Sequence, residues 1–247
     1  MNARSPAMWR RHALPEPARA AREEIRRARV ALEVPGDVHE ARRALKRARA
    51  LLRLCQAGPS ADEARGIRHE IREAARLLST VRDDEVAVEV AREMEREFGS
   101  PPSLVDALEE RRRHSQATLD TGLGRQVRKE LAAARRGTGG LEGSVDPVDT
   151  VARIGRAYAR ARAASRRARR RPSGTALHTL RKRVKDLRYQ MEWLTPVWPA
   201  VLEGWTGELH ALTDDLGRVQ DIRVLRVSGH GLKDPGDRRR LAWALQG

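Results

Sequence analysis

Apolar residues recur every three to four positions along most of this 247-residue chain, the spacing of a buried helical stripe rather than the alternation of a half-buried strand. The periodicity starts after Pro15 and Pro17 and runs to about Glu33, where the turn signal Pro35-Gly36-Asp37 interrupts it. Asp37 is placed to cap a second helix, from residue 38 to about 57, which Gly58-Pro59 stops. A third helix takes Ser60 or Asp62 as its cap, and a fourth follows Asp83 or Asp84 and ends near Gly99. Beyond Pro101-Pro102, residues 103 to about 136 read as one long helix or two, with the break at Gly122 and Gly124. The glycine-rich stretch 137–147 predicts a linker. After it come helices over 148–170, 175–194 and 199 to about 216, and Gly229, Gly231, Pro235 and Gly236 then leave room only for a short last helix near 238–245. The pattern predicts an all-α fold in two halves, 10–137 and 147–247, within a single domain spanning 1–247.

Composition supports this reading. Apolar residues are 40% of the chain, enough for a core, while Phe, Tyr, Ile and Thr are too few for a sheet-rich fold. The 50 Lys and Arg outnumber the 34 Asp and Glu, for a net charge of +16. That excess exceeds what solubility asks for and points to a polyanionic partner. Most of the cations are Arg, which stays charged and can hold a phosphate through two parallel hydrogen bonds. Arg-favouring codon usage would enrich Arg too, so composition does not decide between them. The single cysteine, Cys55, excludes an intramolecular disulfide framework and, beside Leu51, Leu52 and Leu54, reads as core packing. The first residues lack the apolar run of a signal peptide and no stretch nears the roughly 18 to 20 apolar residues of a membrane span. The expectation is a cytoplasmic protein with no membrane contact.

An internal repeat narrows the chemistry. VHEARRALKRAR from Val38 matches LHTLRKRVKDLR from Leu177. His39 is followed by Arg42, Arg43, Lys46 and Arg49, and His178 at the same steps by Arg181, Lys182, Lys185 and Arg188. At about 100° per residue these five positions share an arc of roughly 120° over about 15 Å of helix. Val38, Ala41, Leu45 and Ala48 in the first copy, and Leu177, Leu180, Val184 and Leu187 in the second, form a separate apolar stripe that leaves the basic face free. A weaker match aligns Asp83 with Asp221, each a little over forty residues past its histidine, with a structural role: to cap a helix or orient an Arg.

This paired pattern resembles the CHAD family, the conserved histidine α-helical domains. Its carriers are His39, Arg42, Arg43, Lys46, Arg49 and Arg82-Asp83, then His178, Arg181, Lys182, Lys185, Arg188, Tyr189 and Gln220-Asp221. The resemblance implies two pseudo-symmetric antiparallel helical bundles around a basic central groove or pore that binds inorganic polyphosphate through the two histidine-arginine-lysine faces. It also implies a binding or targeting module, associated with polyphosphate granules, rather than a catalyst. Arg22, Arg26, Arg156 and Arg160 on the preceding helices are expected as secondary contacts. One departure stands out: Asp186 occupies the step at which the first copy has Arg47.

The two histidines admit other chemistry. Metal binding wants nearby His, Cys or carboxylate partners, and the cations at +3, +4 and +7 repel a divalent ion, so no metal and no cofactor are expected. A phosphohistidine remains open, and with it a phosphohydrolase or phosphotransferase using His39 or His178; hydrogen bonding to phosphate is the plainer role. The chain lacks a P-loop, a nucleophile elbow and a zinc-protease motif. Asp83-Asp84, Glu109-Glu110 and Asp214-Asp215 are adjacent on helices, diverge by about 100°, and read as surface or capping groups rather than magnesium sites. Nucleic acid is the rival polyanion, bound without sequence specificity, because an aromatic content of 3% leaves little for base stacking. The five Trp, among them Trp193, Trp198 and Trp205, are expected to pack the second bundle. Sequence names no protein partner.

Overall fold

The computed structural model describes residues 16–33, 37–56, 60–98 and 102–229, the side chains of residues 94, 97, 98, 102–104, 121 and 220–229 excepted. The described residues are helical throughout, in the order α1 (Pro17–Ala31), α2 (Val38–Leu52), α3 (Ala61–Leu77), α4 (Ser79–Phe98), α5 (Pro102–Thr118), a π-turn (Leu119–Leu123), α6 (Gly124–Gly140), α7 (Pro147–Arg170), α8 (Gly174–Leu194), a 3-10 turn (Thr195–Val197) and α9 (Pro199–Gly229). The expected short helix near 238–245 lies outside the described residues, as do the side chains of Gln220 and Asp221.

Local chemistry starts these helices. Asp37 caps α2 by accepting from the Glu40 amide at 3.1 Å, Asp146 accepts from Val148 N at 2.7 Å ahead of α7, and Ser173 accepts from Ala176 N at 3.1 Å ahead of α8. Each satisfies an amide that the first helical turn leaves without a partner. Proline opens α1, α5, α7 and α9, where its missing N–H costs nothing.

The chain divides into two compact units. The first takes the chain up to Ala75 and from Val127 to Leu216; the second takes Arg76–Gln126 and the residues after Leu216. In the first, α1 packs along α2, α7 along α8, and α2 against α8. Its interior is built from small and branched residues, including Ala18, Ala21, Ile25, Ala41, Leu45, Ala48, Ile71 and Leu131, all essentially inaccessible. Ala168 of α7, Leu180 and Val184 of α8, and Leu216 of α9 form a further cluster. In the second unit α4 packs along α5, and the buried Asp84 carboxylate accepts from Arg111 Nη2 at 2.6 Å.

Several element boundaries differ from the sequence expectation. α4 starts at Ser79, so Asp83 and Asp84 lie inside the helix and do not cap it. The break near residue 122 is a π-turn in which Gly122 alone leaves helical geometry. The stretch expected as a linker is helical as far as Gly140. A Cβ at Gly137 would stand 3.2 Å from the Ile67 side chain, and one at Gly140 would stand 3.1 Å from Glu63 Oε1. These glycines let α6 lie close on α3 and are not there for flexibility. Thr138 between them is buried and donates to Ala134 O at 2.7 Å. α9 runs past Leu216 to Gly229, since a lone glycine such as Gly217 costs only about 1 kcal/mol in a helix. Trp198 and Trp205, expected to pack the second bundle, are 61% and 56% exposed, although Trp205 stands one turn before Leu209 on the face that Leu209 and Leu216 turn inward, and Trp198 precedes the helix.

Two outcomes follow. Gly66→Ala, where a Cβ meets nothing within 4 Å, is expected to stabilise the protein by about 0.5–1 kcal/mol in urea denaturation. Gly137→Ala is expected to lose that gain to the Ile67 contact, which small-to-large changes in packed positions penalise. The buried Cys55 thiol is pushed up to about 12 by burial, above its usual value near 9, so the native protein holds the proton where the unfolded chain has lost it. Stability is therefore whole below about pH 9 and falls as pH rises toward 12. Ellman's reagent at pH 8 should label Cys55 only after denaturant is added.

Candidate anion-binding site

The first basic helix splits its cations between two directions. Arg43 pairs with Glu40 at 3.0 Å, and Arg47 lies 3.9 Å from Glu24 and 3.6 Å from Glu40, so this flank is neutralised locally. Arg42, Lys46 and Arg49 follow the other flank, and Arg53, the C-terminal cap of α2, extends it by another turn. Arg42 donates Nη1 to the Ala75 carbonyl at 2.9 Å. His39 is exposed on the first turn of the same helix and Lys46 is half-buried.

Arg49 and Arg53 meet arginines from other helices. Burial lowers the Arg49 pKa, and the neighbouring Arg53, Arg72 and Arg42 lower it further, against Asp186. Arg68 of α3 is lowered by burial and by Arg53, Arg49 and Arg72. On α7, Arg160 is lowered by burial and by Arg183, Arg53 and Arg156, and Arg153 by burial and by Arg156 and Arg160. Arginines from α2, α3, α7 and α8 therefore lie within one another's fields, with Arg49, Arg53, Arg68, Arg153 and Arg183 half-buried and Arg156 and Arg160 exposed. Those at the end of α2 and on α7 and α8 enclose a cavity of about 220 Å³ lined by Arg53, Gln56, Arg153, Arg156, Arg160, Arg183 and Gln190. No aliphatic or aromatic side chain lines it. Gln190 is buried and donates Nε2 to Ala50 O at 3.0 Å, while its Oε1, Gln56 Nε2 and Arg153 Nε make no hydrogen bond among the described residues.

Several arginines elsewhere pair with carboxylates, whereas of the five that line the cavity Arg53 meets one, Asp186, at 3.2 Å. Arg26 is raised above its usual value by its bond to Glu23, which its Nη2 meets at 2.7 Å, and Arg82 is raised by Glu89 and Glu85 against the effect of burial. Arg22 pairs with Glu142 at 3.2 Å and lines a different cavity, of about 650 Å³, with Tyr189, Trp193, Glu23 and Glu24. Of the four secondary positions expected from sequence, Arg156 and Arg160 line the arginine cavity, whereas Arg22 and Arg26 are held by glutamates. Adjacent carboxylates part company: Glu109 reaches Arg92 and Arg112, and Glu110 reaches Arg113.

The second basic helix does not mirror the first. His178, Arg181 and Lys185 are half-buried and Lys182 is exposed. Arg188, 7% exposed, is bonded through Nη1 to His210 Nδ1 at 2.6 Å and Thr213 Oγ1 at 3.0 Å, and its Nε lies 3.2 Å from Glu192. It is a tie between α8 and α9. The α8 residues that line the arginine cavity, Arg183 and Gln190, lie roughly opposite Arg181, Lys185 and Arg188 on the helix. Sequence reasoning passed over Arg53, Arg68, Arg153 and Arg183. The signal for Arg53 was present, as it continues the +3, +7, +10 series of the first copy to +14; Arg183 carried none.

An all-helical domain with an arginine-lined cavity is the class that this fold and its described residues define. The chain belongs to the CHAD domain family, whose model matches residues 33–228. Among solved structures it is similar to the CHAD domain of the plant Ricinus communis, with 18% sequence identity and a TM-score of 0.64, over 94% of this chain and 83% of that one. None of the curated proteins compared with the chain matches it.

Arg188→Ala should cost about 2–3 kcal/mol in urea denaturation, because it empties a buried position between two helices and removes a donor from the buried Thr213 hydroxyl. Arg43→Ala, on an exposed pair, should cost less than about 0.5 kcal/mol.

Proposed function

We propose that this protein binds inorganic polyphosphate as a non-catalytic module and that the arginine cavity is the centre of the site. The observation that carries the reading is the convergence of five arginines, from the end of α2, from α7 and from α8, on one cavity that no aliphatic or aromatic side chain lines, with Arg49 and Arg68 close enough to act on the same group. Such an arrangement is costly unless an anion joins it, because the half-buried Arg53, Arg153 and Arg183 stand beside others of the same sign. Polyphosphate presents about one negative charge per phosphate along a flexible chain, so it can thread several guanidinium forks and release its counterions. The absence of an aromatic shelf in the cavity favours a phosphate chain over single-stranded nucleic acid, which gains much of its affinity from stacked bases. Arg42, Lys46 and Arg49, with His39, extend the path along α2, and His178, Arg181, Lys182 and Lys185 offer a second basic face. Recruitment to polyphosphate granules is the role such a module would serve.

The test is calorimetric titration with long-chain polyphosphate at about 0.15 M salt, where screening limits non-specific attraction. One variant carries Arg53→Ala, Arg156→Ala, Arg160→Ala and Arg183→Ala; a second carries Arg42→Ala, Lys46→Ala, Arg181→Ala and Lys185→Ala. Each lost charge-assisted contact should cost about 1–3 kcal/mol, so the first variant should lose at least a hundredfold in affinity. Loss confined to the second would move the polyphosphate path to the repeated faces. Equal binding by all three proteins would discard the site, and single-stranded DNA that displaces bound polyphosphate at equal charge would favour nucleic acid. No orthophosphate release is expected with magnesium, manganese or calcium; release abolished by His39→Ala or His178→Ala would make the protein an enzyme.

A further inference from the structure

Asp186 is an acid in the middle of this basic site. On α8 it stands one turn before Gln190 and three residues after Arg183, both of which line the cavity. Its Oδ2 lies 3.2 Å from Arg53 Nε, with side chains 22% and 23% exposed. Its charge also acts on Arg49, Arg68 and Arg160. One carboxylate thus serves four guanidinium groups that come from three different elements, and Asp149, beside Arg153, is the other acid acting on this cluster among the described residues.

That position gives Asp186 opposite effects in the free and the bound protein. Without an anion, it relieves repulsion among cations that folding forces together. When an anion arrives, the same carboxylate is a like charge a few ångströms away and holds Arg53, which the anion needs. Resting on the reading of this cavity as a polyphosphate site, we infer that Asp186 is a built-in competitor that keeps short phosphate anions out of the arginine pocket while long chains still bind. A short anion such as pyrophosphate has only the pocket itself to sit in and meets the carboxylate at full strength. A long chain shifts its register along α2 toward Lys46 and Arg42, two to three turns before Arg53, places its charge away from Asp186, and loses little. The departure from the basic pattern of the first copy is then a selectivity device: it trades affinity for discrimination by length.

The test compares Asp186→Asn with the wild type in titrations against pyrophosphate and against long-chain polyphosphate, at the same salt. Asn keeps the size of the side chain and removes its charge. Pyrophosphate should bind about tenfold tighter to the variant, the effect of deleting one like charge about 6 Å away in a half-buried site, and long chains should gain threefold or less. The salt dependence of pyrophosphate binding should steepen by about one unit, since one more guanidinium is left for the anion to neutralise. Asp186→Glu retains the charge and should bind both anions within twofold of wild type, which separates charge from shape. Thermal denaturation supplies a readout independent of affinity: Asp186→Asn should melt below wild type without anion and recover that loss when polyphosphate is added.

Unchanged or weaker binding of both anions by folded Asp186→Asn would overturn the inference and make Asp186 a positioning residue for Arg53. An equal gain for both anions would overturn the selectivity. Should wild type bind neither anion while Asp186→Asn binds pyrophosphate, the competitor role stands and the polyphosphate reading falls. Binding by neither protein discards both.

Discussion

Close approach between helices is the constraint from which the rest follows. The core of the first unit is rich in alanine, and at Gly137 and Gly140 even a Cβ would crowd Ile67 and Glu63. Small residues at the contacts bring helix axes near one another. Arginines just outside those contacts are then delivered into a common space from α2, α3, α7 and α8, where long side chains of one sign cannot all turn away to solvent. Apolar burial outweighs the repulsion, which falls on a handful of groups. The site is a by-product of packing in the sense that its charges are held by the fold and not by each other.

Electrostatic context separates arginines that sequence presents as equivalent. A guanidinium beside glutamates, such as Arg26 or Arg43, is exposed, neutralised within its own helix and of little consequence for stability or binding. Arg188 is buried and spent on His210, Thr213 and Glu192, so it fastens two helices. Arg49, Arg68, Arg153 and Arg160 are lowered by burial and by other arginines, and the field they share is what a polyanion would meet. The side chain is the same in all three settings; what differs is whether the neighbouring element supplies oxygen, apolar surface or another cation.

Much of the architecture was legible because helical periodicity, capping residues and proline punctuation are local. Asp37, Asp146, Ser173 and the prolines that open α1, α5, α7 and α9 act within one turn of themselves, and the basic residues of each copy of the family pattern lie within a dozen positions of each other. Glycine misled where its use was non-local: Gly137 and Gly140 serve a neighbouring helix, which no local pattern reveals, and the same stretch read alone resembles a linker. The tryptophans misled for a related reason, as Trp205 shares the α9 face of Leu209 and Leu216 and only the partner surface decides that those leucines are covered while Trp198 and Trp205 are not.

Sequence by itself determined the all-helical class, the family and the excess of positive charge, since these depend on composition, on period and on residues spaced along one helix face. Tertiary structure alone decided which cations share a site. Arg183 lies opposite the motif face of its own helix and enters the cavity because α7 packs along α8, whereas Arg188 lies on that face and is used up against α9. Asp186 reads in the sequence as a blemish in a basic run; across the α2–α8 contact it becomes the carboxylate on which Arg53 rests. Which charges meet depends on the approach of segments more than a hundred residues apart, and a one-dimensional pattern holds no distance between them.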